Sequence, residues 1–152
     1  MIKLLWLALL ACISMSQALA SEVSISDAWT KASAPGQGSA TVSLRITSKK
    51  DAQIIAVSTT ASRSAEIHSM IHENGMMKMR ALDSLELKAN QEVILGHGGM
   101  HLMLVDLIKP LVTGEQIPLL LTVQFADKHT EKINVNAMVK SLYASNSEHM
   151  HH

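Results

Sequence analysis

Six of the ten methionines and four of the eight histidines lie between His68 and Met103. Thioethers and imidazoles are ligands for soft and borderline metal ions, so metal coordination is the first chemistry these residues suggest. The run Glu66-Ile67-His68-Ser69-Met70-Ile71-His72-Glu73-Asn74-Gly75-Met76-Met77-Lys78-Met79-Arg80 places Asn74-Gly75 between two alternating segments. A type I′ turn needs positive φ at both central residues, and Asn-Gly supplies it. The turn predicts a hairpin with Glu73 opposite Met76, His72 opposite Met77, Met70 opposite Met79 and His68 opposite Ala81. Strand periodicity then puts His68, Met70, His72, Met77 and Met79 on one face, and Ile67, Ile71, Met76 and Lys78 on the other. His68 and Met79 become diagonal neighbours, a spacing that long side chains bridge.

A second cluster reads Gly96-His97-Gly98-Gly99-Met100-His101-Leu102-Met103-Leu104-Val105. His101 and Met103 are two apart on a strand and point the same way. The glycines before them permit close approach of another loop. A hairpin supplying His68 and Met79, facing a strand supplying His101 and Met103, makes a set of two nitrogens and two sulfurs with no charged ligand. Such a set suits Cu(I), suits zinc poorly, and suits calcium or magnesium hardly at all. Thioethers have no useful proton equilibrium and form weak bonds, so an ion held this way is exchangeable.

Other metal-capable residues have competing readings. Met70 is either core filler or an auxiliary ligand, because Met readily fills irregular gaps. His72 and Met77 near the turn are expected to be exposed, and Met76 and Met100 to be structural. His97 is a solvated loop residue or a support for a ligand, and His129 beside Asp127-Lys128 is a surface residue. The end of the chain, Glu148-His149-Met150-His151-His152, is either a solvated tail or an auxiliary arm binding Cu(II) weakly.

Stepping outward from the ligands, the chain must supply strands to hold them. Apolar residues alternate in Ala40-Thr41-Val42-Ser43-Leu44-Arg45-Ile46, with even positions facing a core. Similar stretches lie near 23–29, 53–59, 65–72, 76–81, 92–95, 101–107, 117–125 and 130–139. Leu119-Leu120-Leu121 is a continuous apolar run, and Pro118 with the β-branched Thr122-Val123 favours a buried strand. Eight or nine short strands without intervening helices predict an all-β antiparallel sandwich or barrel spanning 21–140, with 141–152 as a tail.

The N-terminus carries Lys3, an apolar run from Leu4 to Ile13, and Ala18-Leu19-Ala20. This is the pattern of a cleaved secretory signal over residues 1–20. The run is too short for a membrane-spanning helix, which needs roughly 20 apolar residues. The mature chain is therefore expected in the periplasm, without stable membrane insertion. Lipoprotein processing at Cys12 is a rival, although Leu10 before Ala11 suits that signal poorly. Cys12 is the only cysteine. Its loss with the signal excludes disulfides, Cys-ligated blue-copper sites and cysteine catalysis. Thirteen Lys+Arg balance thirteen Asp+Glu and aromatic residues are 3% of the chain, so no basic surface interleaved with stacking rings exists for nucleic acid.

The sequence resembles the periplasmic copper chaperones called PCu(A)C, whose signature is a His, ten residues, a Met, twenty-one residues, then His-x-Met. His68, residues 69–78, Met79, residues 80–100 and His101-Leu102-Met103 fit that pattern without a gap. Asp27-Ala28-Trp29, Pro35-Gly36, Asn74 to Arg80, Gly98 to Leu104 and Leu107-Ile108-Lys109-Pro110-Leu111 also look like blocks of that family. Met100 stands where the family usually has an aromatic. The resemblance covers Ser21 to about Lys140. It implies a cupredoxin-like β-sandwich, Cu(I) bound by His68, Met79, His101 and Met103, and delivery to an acceptor. The family's best-known acceptor is a cytochrome c oxidase subunit with its dinuclear copper centre, and the resemblance implies that or another copper chaperone. An exposed transfer site favours a monomer.

A redox copper enzyme is disfavoured, because no Ser/His/Asp or paired-carboxylate set stands out and the mature N-terminus would be Ser21. A sandwich module for adhesion would leave the Met/His cluster without a purpose. The sequence therefore predicts a non-enzymatic copper carrier.

Overall fold

The computed structural model describes residues 20–96 and 99–143. Ten strands run in order: β1 (Val23–Lys31), β2 (Ser39–Ser48), β3 (Ala52–Thr59), β4 (Ser62–Glu73), β5 (Met76–Leu82), β6 (Leu85–Leu87), β7 (Glu92–Leu95), β8 (Met100–Leu107), β9 (Gln116–Phe125) and β10 (Thr130–Lys140). No helix is present among the described residues. The strands hydrogen-bond in the order β5-β4-β8-β2-β1-β10-β9-β3-β6, with β7 also on β2. The fold is a cupredoxin-like β-sandwich. Its sheet path stays open, so it is a sandwich and not a closed barrel.

Alternation in the sequence became alternation in burial. Ala40, Val42, Leu44 and Ile46 of β2 are buried, as are Leu102 and Leu104 of β8 and Ile67 of β4. They share a core with Ile54 of β3, Leu119, Leu121 and Val123 of β9, and Ala137 and Val139 of β10. Burying each Leu, Ile or Val side chain stabilises by roughly 1.5–3 kcal/mol before entropy is counted.

Two features depart from the expected pattern. β6 is a tenth strand, only three residues long, and too short to show periodicity. β1 pairs antiparallel with β2 but parallel with β10 through Trp29, Thr30 and Lys31. The register shifts between Ser26 and Trp29, where Asp27 has φ 51°. This bulge re-aims the second half of β1, so one strand serves both layers and the sheet contains a parallel pair.

Candidate metal centre

The β4–β5 hairpin forms as its turn residues dictate. Asn74 and Gly75 have φ of 53° and 75°. Glu73 pairs with Met76, His72 with Met77, Met70 with Met79 and His68 with Ala81. β8 lies beside β4 in the same sheet, on the side away from β5, so it neighbours the hairpin and does not face it. There His68 pairs directly with His101, and Glu66 with Met103. The Met70 amide donates to the Gly99 carbonyl at 2.7 Å.

Directly opposed residues share a face, so β5 contributes Met77 and Met79, β4 contributes Glu66, His68, Met70 and His72, and β8 contributes His101 and Met103. The core is on the other face, behind Ile67, Leu102 and Leu104. Burial of the donors is graded. His101 is 9% exposed, the His68 side chain 14%, and Met79 48%. Met103 and Met70 are half-buried, and Met70 lies outside the core cluster.

The structure brings His68, His101 and Met103 together on two adjacent strands. Met79 approaches from the edge strand β5, diagonal to His68 and two strands, about 10 Å of sheet width, from β8. Met70 occupies the intervening position, opposite Met79.

Glu66 is a participant that motif reading passed over. Its Oε2 accepts a hydrogen bond from His68 Nε2 at 2.8 Å, while Ser64 Oγ donates to its Oε1 at 3.1 Å. A carboxylate only accepts, so Nε2 carries the proton, and in the neutral ring Nδ1 carries the lone pair. That Nδ1 is buried and has no hydrogen-bond partner. Leaving such an acceptor unsatisfied costs about 1–3 kcal/mol. A carboxylate fixing one ring nitrogen while the other stays free is the arrangement that supports a metal-ligating histidine. Glu66 lies two residues before His68, so strand periodicity alone puts it on the same face.

Electrostatics favour the neutral form of His101 and the ionised form of Glu66. The hydrogen bond from His68, then that from Ser64, lowers the Glu66 carboxyl below its ordinary value. Burial, followed by the charge of a protonated His68, lowers His101. The two rings lie edge to face with centroids 5.8 Å apart. Among the described residues no group of three or more His, Cys, Asp or Glu is placed to hold a metal, so an ion here needs the thioethers to complete its shell. Those donors fit Cu(I) and not a hard cation.

Gly96 and Ser43 fix the approach to β8. A Cβ on Gly96 would lie 2.2 Å from Ser43 Oγ, and Gly96 has φ 135°. The predicted close approach is real at Gly96, and its partner is strand β2. Gly99 has open space around it.

Met100 packs partly buried against the core, as expected. Met76 does not: it is 60% exposed, because the hairpin tip extends past the core that its face would otherwise join. His72 and Met77 are exposed. His129 is exposed, ion-paired to Asp127 and stacked on Phe125 at 4.4 Å. His97, the leader with Cys12, and the tail residues His149, Met150, His151 and His152 lie outside the described residues.

Residues 23–137 match the family described as "LpqE-like: Putative lipoprotein LpqE-like". The curated "Putative lipoprotein Lxx21020" of Leifsonia xyli subsp. xyli is 30% identical over 114 residues, covering 74% of this chain and 68% of that protein. The apo PCuAC domain from PmoF1 superposes with a TM-score of 0.65 at 20% identity, covering 80% of this chain and 95% of the domain. The solution structure of Cu(I)-bound DR1885 from Deinococcus radiodurans gives 0.59 at 26% identity, covering 82% of this chain and 83% of that one. The chain therefore belongs to the LpqE-like family, which is of the PCuAC type.

Proposed function

We propose that this protein is a non-enzymatic Cu(I) carrier of the extracytoplasmic space, which holds copper with His68, Met79, His101 and Met103 and releases it to an acceptor by ligand exchange. The observation that carries the reading is the direct opposition of His68 and His101, with His68 Nδ1 buried and unbonded and thioethers flanking the pair on the same face. DR1885, which shares the fold, has been solved with Cu(I), and this supports copper as the cargo. Neutral sulfur and nitrogen donors favour Cu(I) and bind it without a thiolate.

The acceptor we propose is the dinuclear copper centre of a cytochrome c oxidase subunit, or a second copper chaperone. The free protein is a monomer, its domain spans residues 21–140, and the 141–152 tail collects Cu(II) weakly through His149, Met150, His151 and His152. We place the protein in the periplasm after cleavage behind Ala20. The lipoprotein descriptions of the family and of the Leifsonia relative support an extracytoplasmic location.

Transfer tests the reading. Cu(I)-loaded protein should metallate an apo dinuclear copper domain in a reaction first order in each protein, and should consume no oxygen when a reductant is supplied. Failure to transfer to any apo acceptor, or steady oxygen turnover, contradicts it.

A further inference from the structure

The outer end of the β4–β5 hairpin carries more soft donors than the four-residue set uses. His72 lies directly opposite Met77, and Met70 sits two residues back from His72 on the same face. Opposed residues are about 5 Å apart and diagonal neighbours about 7–8 Å, within reach of Met and His side chains. β5 is an edge strand, and Met77 is 59% exposed. Packing therefore gives Met77 no reason to be apolar. At the tip, the hairpin's charges lie on the opposite face, where Glu73 pairs with Lys78 at 3.1 Å and Arg80 at 3.6 Å. His72 has no hydrogen-bond or ion-pair partner among the described residues. The donor face at the tip thus offers thioethers and an imidazole, with no carboxylate beside them.

We infer that Met70, His72 and Met77 form a second, outer Cu(I) station at the tip of the β4–β5 hairpin. The inference rests on copper as the cargo, the reading given above. Two thioethers and one imidazole suit Cu(I), which is stable at low coordination number, and do not suit zinc, calcium or magnesium. The station adjoins the inner set through Met79, the residue opposite Met70. An ion captured at the exposed tip can pass inward, or outward to an acceptor, by exchanging one thioether at a time.

The test uses the full chain with His101→Asn and Met103→Leu, which removes inner donors. Cu(I) is titrated against a chromophoric Cu(I) chelator while the Met ε-methyl resonances are followed. The expected result is one Cu(I) bound with shifts at the Met70 and Met77 methyls. Adding His72→Asn and Met77→Leu should weaken that binding tenfold or more. Unmoved Met70 and Met77 methyls, or affinity unchanged by the added substitutions, overturns the station; copper that moves only the Met150 methyl sits on the tail and overturns it too. The inner site is judged separately, by whether the parent chain loses its tightest Cu(I) on His101→Asn and Met103→Leu. Far-ultraviolet circular dichroism of each variant checks that the fold is kept.

Discussion

His68 and His101 occupy directly opposed positions on β4 and β8, with ring centroids 5.8 Å apart and planes inclined by 60°. Two imidazoles so placed in a partly buried site tend not to be protonated together. Burial and the charge of protonated His68 both lower His101. Of the two rings, His101 is the one held towards its neutral, lone-pair form.

Acidification should destabilise the metal-free protein. His101 has a folded-state value below the ordinary 6.5, so between those two values the unfolded chain binds the proton and the folded chain does not. Stability is complete above about 6.5 and declines as pH falls towards the lowered value. Glu66 acts in the same direction below 4.5, since its carboxyl is also lowered in the fold. Denaturant midpoints measured from pH 7 to pH 4 should fall, and His101→Asn should flatten the upper part of that decline. A midpoint independent of pH over this range would contradict the assignment.

Glu66→Gln keeps a hydrogen-bonding group beside His68 and removes its charge. Loss of such a supporting partner costs about 10–100-fold in metal affinity. Chelator competition should show a loss of this size, with the far-ultraviolet circular dichroism spectrum of the fold kept. Unaltered affinity would mean that His68 does not depend on the Glu66 carboxylate.

The hairpin register was legible because its cause is local. Asn74-Gly75 selects a two-residue turn, the turn fixes every pair from Glu73–Met76 to His68–Ala81, and burial of Ile67 selects the core face. The opposition of His68 and His101 was not legible in the same way. Nothing in the segment 66–72 states that its second neighbour will be 100–107, thirty residues on, because that pairing is decided by how both layers close over Leu102, Leu104 and Leu121. The double role of β1 was hidden for a related reason: the bulge at Asp27 breaks the alternation that would have revealed it. Glu66 shares the face of His68 by period two, but a carboxylate is not a soft donor, so its supporting role shows only in the hydrogen bond to His68.

Core and tip should respond oppositely to substitution. Leu102 is fully buried behind the donor face, and Leu102→Ala should cost about 2–5 kcal/mol through lost transfer energy and a residual cavity. Met77→Leu, at an exposed edge position, should lie within about 0.5 kcal/mol of the parent. Chemical denaturation of the two variants checks the contrast.

Gly96→Ala should destabilise the apo protein by roughly 1–3 kcal/mol, since φ 135° is strained for any residue with a side chain. The added Cβ would also meet Ser43 Cβ at 2.7 Å, and relief of that clash displaces the segment leading to His101. Cu(I) affinity should fall together with stability. Ser43→Gly in the same chain should recover part of both, and failure to recover either would place the strain elsewhere.

The central claim is that His68, Met79, His101 and Met103 hold the tightest-bound Cu(I). X-ray absorption on protein loaded with substoichiometric Cu(I), for the parent and for Met79→Leu with Met103→Leu, tests it most directly. The account predicts two nitrogen and two sulfur donors in the parent, and loss of both sulfurs together with at least tenfold weaker binding in the variant. A sulfur-free shell in the parent, or an unchanged spectrum and affinity in the variant, would contradict it.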